Sequence, residues 1–93
     1  MPKSTFTRGY ELFRARLVEM RRAAGMSQRD LAAALGREHS FAGRTELGER
    51  RVDVVEFYWI CRACGVDPAR AAAELMREIA TMEARRGKRH GGR

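Results

Sequence analysis

Two groups of residues in this chain have types and spacings that suit chemistry: a pair of cysteines, and a set of polar and basic side chains in the middle of the sequence. Cys61 and Cys64 form a Cys-x-x-Cys pair, a spacing used by zinc sites and by redox-active thiols. Neither a second cysteine pair nor a nearby histidine accompanies them, so we expect no metal and no cofactor. Both thiols fall near the C-terminal end of a predicted helix, where the helix dipole disfavours a thiolate. We therefore interpret them as small core residues.

The charge of the chain favours a polyanionic partner rather than a reaction. The sequence has 19 basic and 12 acidic residues, a net charge of +7. Residues 1–26 carry +4, from six basic and two acidic side chains, and residues 87–93 carry +3, whereas the stretch between them is balanced. Paired carboxylates, a Ser-His arrangement and a phosphate-binding loop are all missing from the sequence, so we do not expect an enzyme.

The elements that position these residues follow from apolar periodicity and capping signals. Apolar residues between positions 10 and 24 recur at spacings of 3, 4, 3 and 4, which predicts a helix from about residue 8 that stops at Gly25. Ser27 and Asp30 form a capping box for a second helix, which ends at Gly36. A third helix is predicted over about residues 38–47, although Ser40 is the best N-cap by residue type.

Two more helices complete the expected fold. Asp53 caps a fourth helix that stops at Gly65, and Asp67-Pro68 begins a fifth helix that runs to about residue 86. With no strand pattern, the sequence predicts an all-α fold of five helices in one domain, residues 8–86. We expect residues 1–7 to be a flexible arm and residues 87–93 a disordered basic tail.

The length and hydropathy of the chain are consistent with this outline. Its 93 residues, 44% of them apolar, suffice for one modest core. No run approaches the ~20 consecutive apolar residues of a transmembrane helix, and the N-terminus lacks the apolar region of a signal peptide. We therefore expect a cytoplasmic protein that makes no membrane contact.

Residues 17–68 resemble the Xre-like family of phage-repressor and Cro-type helix-turn-helix domains. The matching positions are Arg21, Gly25, Ser27, Gln28, Ala32, Gly36, Glu46, Gly48, Asp53 and the run Gly65-Val66-Asp67-Pro68. The resemblance implies a repressor-like bacterial or phage transcription regulator that binds double-stranded DNA, as a homodimer, with the third helix in the major groove.

The resemblance places base reading on the exposed N-terminal half of the third helix, at His39, Ser40, Gly43 and Arg44. An arginine can make two hydrogen bonds to guanine, and a serine can donate to a base or a phosphate. A glycine lets the backbone approach the DNA closely. For Arg44, a phosphate contact or an ion pair with a neighbouring glutamate is an equally open interpretation.

Phosphate contacts and an ion pair complete the implied site. Gln28 lies at the N-terminus of the second helix, where free N–H groups attract a phosphate, and a solvated capping residue is the alternative. Arg50 and Arg51 follow the third helix and suit phosphate contacts. In the family, the residues matching Arg21 and Glu46 form an ion pair that ties the first helix to the third.

The third helix departs from the family pattern at three positions. Ala42 and Thr45 stand where the family usually has branched apolar residues, and Arg37 stands where an apolar residue is common. Either this helix is less firmly seated, or Phe41 compensates. Phe41 could instead contact a thymine methyl group.

Aromatic residues on the fourth helix suggest an interface. Tyr58 and Trp59 lie off its inward stripe, so they either pack beneath the fifth helix or contact a partner. Ile79 and Met82 could extend the same patch.

Three functions therefore compete. The leading hypothesis is a sequence-specific DNA-binding transcriptional regulator. The alternatives are the antitoxin of a toxin–antitoxin pair, and a protein-interaction module built on a degenerate helix-turn-helix.

Overall fold

The computed structural model describes residues 7–90, with side chains described as far as Arg85, and confirms an all-α fold of five helices. None of the described helices is long and apolar enough to cross a membrane. The first six residues of the predicted arm and residues 91–93 of the predicted tail lie outside the described part of the chain. The helices are α1 (Arg8–Ala23), α2 (Gln28–Ala34), α3 (Phe41–Leu47), α4 (Val54–Ala63) and α5 (Pro68–His90).

The core is one apolar cluster to which the first four helices contribute. Its buried members are Leu17, Leu31, Ala42, Val52, Phe57, Ile60 and Cys61, and Leu75 of α5 is also buried. Burying one large apolar side chain contributes about 1.5–3 kcal/mol to the free energy of folding, so this small cluster is the main source of stability.

The cysteines belong to this core. Cys61 is fully buried, and burial raises the pKa of its thiol to about 11. Cys64 is half-buried against the cluster, and burial raises its pKa as well. Both thiols therefore stay protonated at neutral pH, as expected of structural rather than reactive cysteines.

Side-chain caps fix where the helices begin. The capping box of Ser27 and Asp30 is complete, because the Ser27 Oγ accepts from the Asp30 N–H at 3.0 Å and the Asp30 carboxylate accepts from the Ser27 N–H at 2.8 Å. Asp53 and Glu56 form a second complete box at the start of α4. Thr7, which the sequence analysis assigned to the arm, caps α1 through its hydroxyl.

Two predicted helix boundaries need correction. α3 begins at Phe41 rather than near residue 38, because the Phe41 N–H bonds to the Glu38 carbonyl and closes a separate turn before the helix. α5 continues to His90, whereas disorder was predicted from residue 87. A single glycine costs a helix only about 1 kcal/mol, and the lysine and arginine after it are good helix formers.

The end of α3 depends on a glycine in contact with α1. Gly48 has a φ of 83°, and a Cβ placed there would lie 3.3 Å from the Arg14 guanidinium. The same guanidinium donates to the Glu46 carbonyl at 2.7 Å, near the C-terminal end of α3. Gly48 therefore makes room for the side chain that caps the helix.

Candidate nucleic-acid interface

α3 has one buried face and one exposed face. Phe41 and Ala42 are each 1% exposed and Thr45 is 2% exposed, so they attach the helix to the domain. Ser40 and Arg44 are exposed and Gly43 is half-buried. Positions three and four apart share one side of a helix, so these three lie together on the outward side.

Ala42 and Thr45, which depart from the family pattern in the middle of α3, are buried and do not loosen the packing of the helix. Ala42 joins the main apolar cluster. Thr45 keeps the branched shape of valine, although its buried hydroxyl has no hydrogen-bond partner among the described residues. With Phe41 buried as well, α3 is firmly seated, which agrees with the expectation that Phe41 compensates and removes one reason to regard the helix-turn-helix as degenerate.

Arg21 and Glu46 tie α1 to α3. The Arg21 Nε lies 2.7 Å from one Glu46 carboxylate oxygen and its Nη2 lies 3.1 Å from the other, and both side chains are only 9% exposed. The hydrogen bond to Glu46 raises the pKa of Arg21 above its ordinary value. Arg21 also donates to the Met26 carbonyl at 2.9 Å, which extends the link to the segment before α2.

Gln28 brings the start of α2 into the same network. Its Nε2 donates to the Glu46 carboxylate at 2.8 Å. A Cβ at Gly43 would lie 3.3 Å from the Gln28 Oε1, so the glycine makes room for this amide rather than leaving an open gap on the helix. An amide nitrogen has two hydrogens, which leaves Gln28 one donor for a further acceptor.

His39 and Ser40 precede α3 instead of lying in its first half. Both are exposed, and the Ser40 hydroxyl makes no capping hydrogen bond. The His39 Nδ1 lies 3.2 Å from the Nη2 of Arg29, an exposed arginine of α2 that the sequence analysis did not single out. Its position beside Gln28 in the first turn of α2 is a sequence signal that could have identified it.

The two arginines after α3 differ in their surroundings. Arg50 donates to both carboxylate oxygens of Glu56, at 3.2 and 3.0 Å, so its guanidinium is already engaged. Arg51 is exposed and lies over the Tyr10 ring at 5.1 Å. Arg44 is also exposed, and among the described residues its one ion pair is with Glu49, at 4.0 Å.

Phe41 is buried, so the suggested contact with a thymine methyl group is wrong. Its ring is covered by the guanidinium groups of Arg37 and Arg50, at 4.4 and 4.8 Å from the ring centre. Its burial agrees with the other interpretation of the sequence, in which Phe41 helps to seat α3.

The proposed interface residues line three different grooves. Tyr58 and Trp59, about half exposed, line a groove with the C-terminal end of α2 rather than packing beneath α5. Ile79 lines a second groove, between α1, α4 and α5, and Met82 a third, between α1 and α5. Ile79 and Met82 therefore do not line the groove that Tyr58 and Trp59 line.

Comparisons with known proteins agree with this geometry. Residues 12–73 match a family model described as a helix-turn-helix domain. A solved structure of an XRE-family like protein from Pseudomonas syringae pv. tomato str. DC3000 is 44% identical, with 75% of this chain and 85% of that chain covered and a TM-score of 0.72. No curated protein matches the chain. The chain belongs to the Xre-like family of helix-turn-helix DNA-binding regulators.

Proposed function

We propose that this regulator is a bacterial or phage protein that binds DNA sequence-specifically in the cytoplasm of a bacterial cell, with α3 in the major groove. The observation that carries the proposal is the two-sided construction of α3. Its buried face is held by the core and by Arg21, and its other face presents Ser40, Gly43 and Arg44 to solvent. An α-helix fits the major groove, where base edges are distinguishable.

Within this proposal, Arg44 is the main base-reading residue, assisted by Ser40 and His39. Arg44 is exposed and only weakly paired, so its guanidinium can reach a guanine. Gly43 contributes space rather than a side chain. Gln28, Arg51 and also Arg29 are suited to phosphates, because each is exposed at the edges of α2 and α3. Phosphate contacts of this kind set the register of the protein on DNA.

We expect Arg44→Ala to weaken binding to a selected site by about 5- to 150-fold, the equivalent of ~1–3 kcal/mol of lost base discrimination. Binding sites would first be obtained by in-vitro selection with the wild-type protein. Affinity for the selected site and for unrelated DNA would then be measured at one salt concentration, since the ratio of the two reports specificity.

Arg77→Ala is the matched control, because Arg77 is an exposed arginine on α5, outside both the reading face and the proposed dimer face. It removes the same charge and should leave the ratio of affinities unchanged. Selection that yields no preferred sequence, or an Arg44→Ala ratio equal to that of the control, would contradict base reading by α3.

We also propose that the chain acts as a homodimer through the outer face of α4. Its exposed large apolar residues are Val54 (78%), Val55 (50%), Tyr58 (49%) and Trp59 (50%). No exposed carboxylate or lysine lies between them, and Arg62 is the charged side chain that lines the same groove as Tyr58 and Trp59. Tyrosine and tryptophan offer roughly 150–250 Å² each for burial and are enriched at interfaces.

Sedimentation equilibrium tests this interface directly. We expect a concentration-dependent dimer for the wild type and a monomer for Trp59→Lys, because a charge buried between two apolar faces is costly. Ala15→Lys adds the same charge at an exposed position of α1 and should leave the dimer intact. A monomeric wild type at all accessible concentrations, or a dimer that survives Trp59→Lys, would exclude this face.

A further inference from the structure

The first residue of α3 is buried in an unusual way. Phe41 is 1% exposed, yet it is not a member of the main apolar cluster. Two guanidinium groups lie over its ring instead, those of Arg37 and Arg50, each within 5 Å of the ring centre. Polar side chains thus form part of the cover that buries this end of the reading helix.

One carboxylate holds both of these arginines. Glu56 accepts from Arg37 Nη1 at 3.3 Å and from both terminal nitrogens of Arg50, and its side chain is only 12% exposed. The hydrogen bond from Arg50 is the main cause of a lowered pKa for the Glu56 carboxyl, so the group is ionised at neutral pH. We call Arg37, Phe41, Arg50 and Glu56 the arginine clamp.

The clamp joins three segments of the chain around the reading helix. Arg37 precedes α3, Arg50 follows it, and Glu56 lies in the first turn of α4. Phe41 is adjacent in sequence to Ser40 and three residues before Arg44. A shift of Phe41 therefore moves the residues proposed to contact bases.

We propose that Arg37, Arg50 and Glu56 are positioning residues, which hold the first turn of α3 in its DNA-reading orientation, and that Arg50 is not a phosphate ligand. The inference rests on the proposed DNA-reading role of α3. It reverses the expectation from the sequence, in which an arginine just after the helix suits a phosphate contact. In the structure, the Arg50 guanidinium donates hydrogen bonds to the Glu56 carboxylate and stacks with its flat face on the Phe41 ring.

Glu56→Gln distinguishes the two possible roles of the arginines, positioning residue and phosphate ligand, because the two roles predict opposite changes in DNA affinity. The glutamine removes the charge that holds Arg37 and Arg50 but still suits the third position of the α4 capping box. Positioning predicts that affinity for the selected site falls on the order of tenfold, although the protein becomes more positive. If the arginines were phosphate ligands, their release would strengthen binding and steepen its salt dependence.

Arg50→Lys provides a second, charge-conserving variant. Lysine cannot bridge both carboxylate oxygens while lying flat on a ring, so positioning predicts a loss of specific affinity with an unchanged salt slope. Arg51→Gln is the comparison, because losing one phosphate contact lowers that slope by about 0.9. A wild-type-like affinity for Arg50→Lys, or a gain for Glu56→Gln, overturns the proposal.

Amide hydrogen exchange requires no DNA, so it tests whether the clamp holds α3 independently of whether α3 reads DNA. We expect Glu56→Gln to speed exchange at the Arg44 and Thr45 amides at least tenfold, while amides of α5 stay as in the wild type. Equal exchange at these α3 amides would show that the clamp does not hold the helix, whatever the DNA result. Faster exchange in a protein without sequence preference would instead retain the clamp and reject the DNA-reading function.

Discussion

Replacing Arg21 by methionine is expected to lower the free energy of unfolding by about 3–5 kcal/mol, the usual cost of removing one partner from a buried ion pair. The substitution leaves the Glu46 carboxylate 9% exposed and without its two shortest charged hydrogen bonds. Only the amide of Gln28 would still donate to it, among the contacts of the described structure. Urea denaturation at pH 7 measures the loss.

Two controls test whether burial causes this effect. Arg70→Met removes an arginine whose pair with Glu74 has exposed side chains, at 79% and 53%, and should cost at most about 1 kcal/mol. The double variant Arg21→Met with Glu46→Met removes both buried charges and should recover much of the loss. If Arg21→Met cost no more than Arg70→Met, the α1–α3 pair would not be a buried ion pair in solution.

The sequence predicted well what short-range rules determine. Ser27 and Asp30 form their capping box because the two residues are three apart, a relation that is visible without a structure. Gly36 and Gly48 end α2 and α3 with positive φ for the same local reason. The Cys-x-x-Cys pair was assigned to the core from its place on a helix, and Cys61 is fully buried.

The sequence could not determine which of several partners a side chain takes. Arg50 has Arg51 as its neighbour, and nothing local indicates that Arg50 turns to Glu56 while Arg51 lies over Tyr10. Each choice depends on where Glu56 of α4 and Tyr10 of α1 lie relative to the segment after α3. The sequence left open whether Phe41 seats α3 or contacts DNA for the same reason, because the arginines that cover its ring come from the segments before and after the helix.

The start of α3, which has no side-chain cap, was predicted less accurately than the starts of α2 and α4. Ser40, the best N-cap by residue type, does occupy the N-cap position, but its backbone is close to helical, with φ −84° and ψ −2°, and its hydroxyl makes no capping hydrogen bond. A capping side chain needs an extended backbone, as at Ser27, which caps through its hydroxyl, and at Asp53, which caps through its carboxylate. His39 and Ser40 therefore lie in a turn that leads into α3, which places them at the edge of the reading face.

Phe41→Ala is expected to lower the free energy of unfolding by about 3–5 kcal/mol, as for other fully buried phenylalanines. The ring is removed from beneath two guanidinium groups, which lose their cation–π contacts and cannot refill the cavity with apolar atoms. Chemical denaturation at pH 7 gives the value.

Tyr58→Ala is the matched control, since it deletes an aromatic ring on a neighbouring helix that is 49% exposed. It should cost about 1 kcal/mol or less in the monomer, because most of its surface is not buried by folding. Phe41→Leu separates the two contributions, since leucine keeps much of the apolar volume but offers no ring to the arginines. We expect an intermediate loss, and a Phe41→Leu protein as stable as the wild type would show that the guanidinium groups do not need the ring.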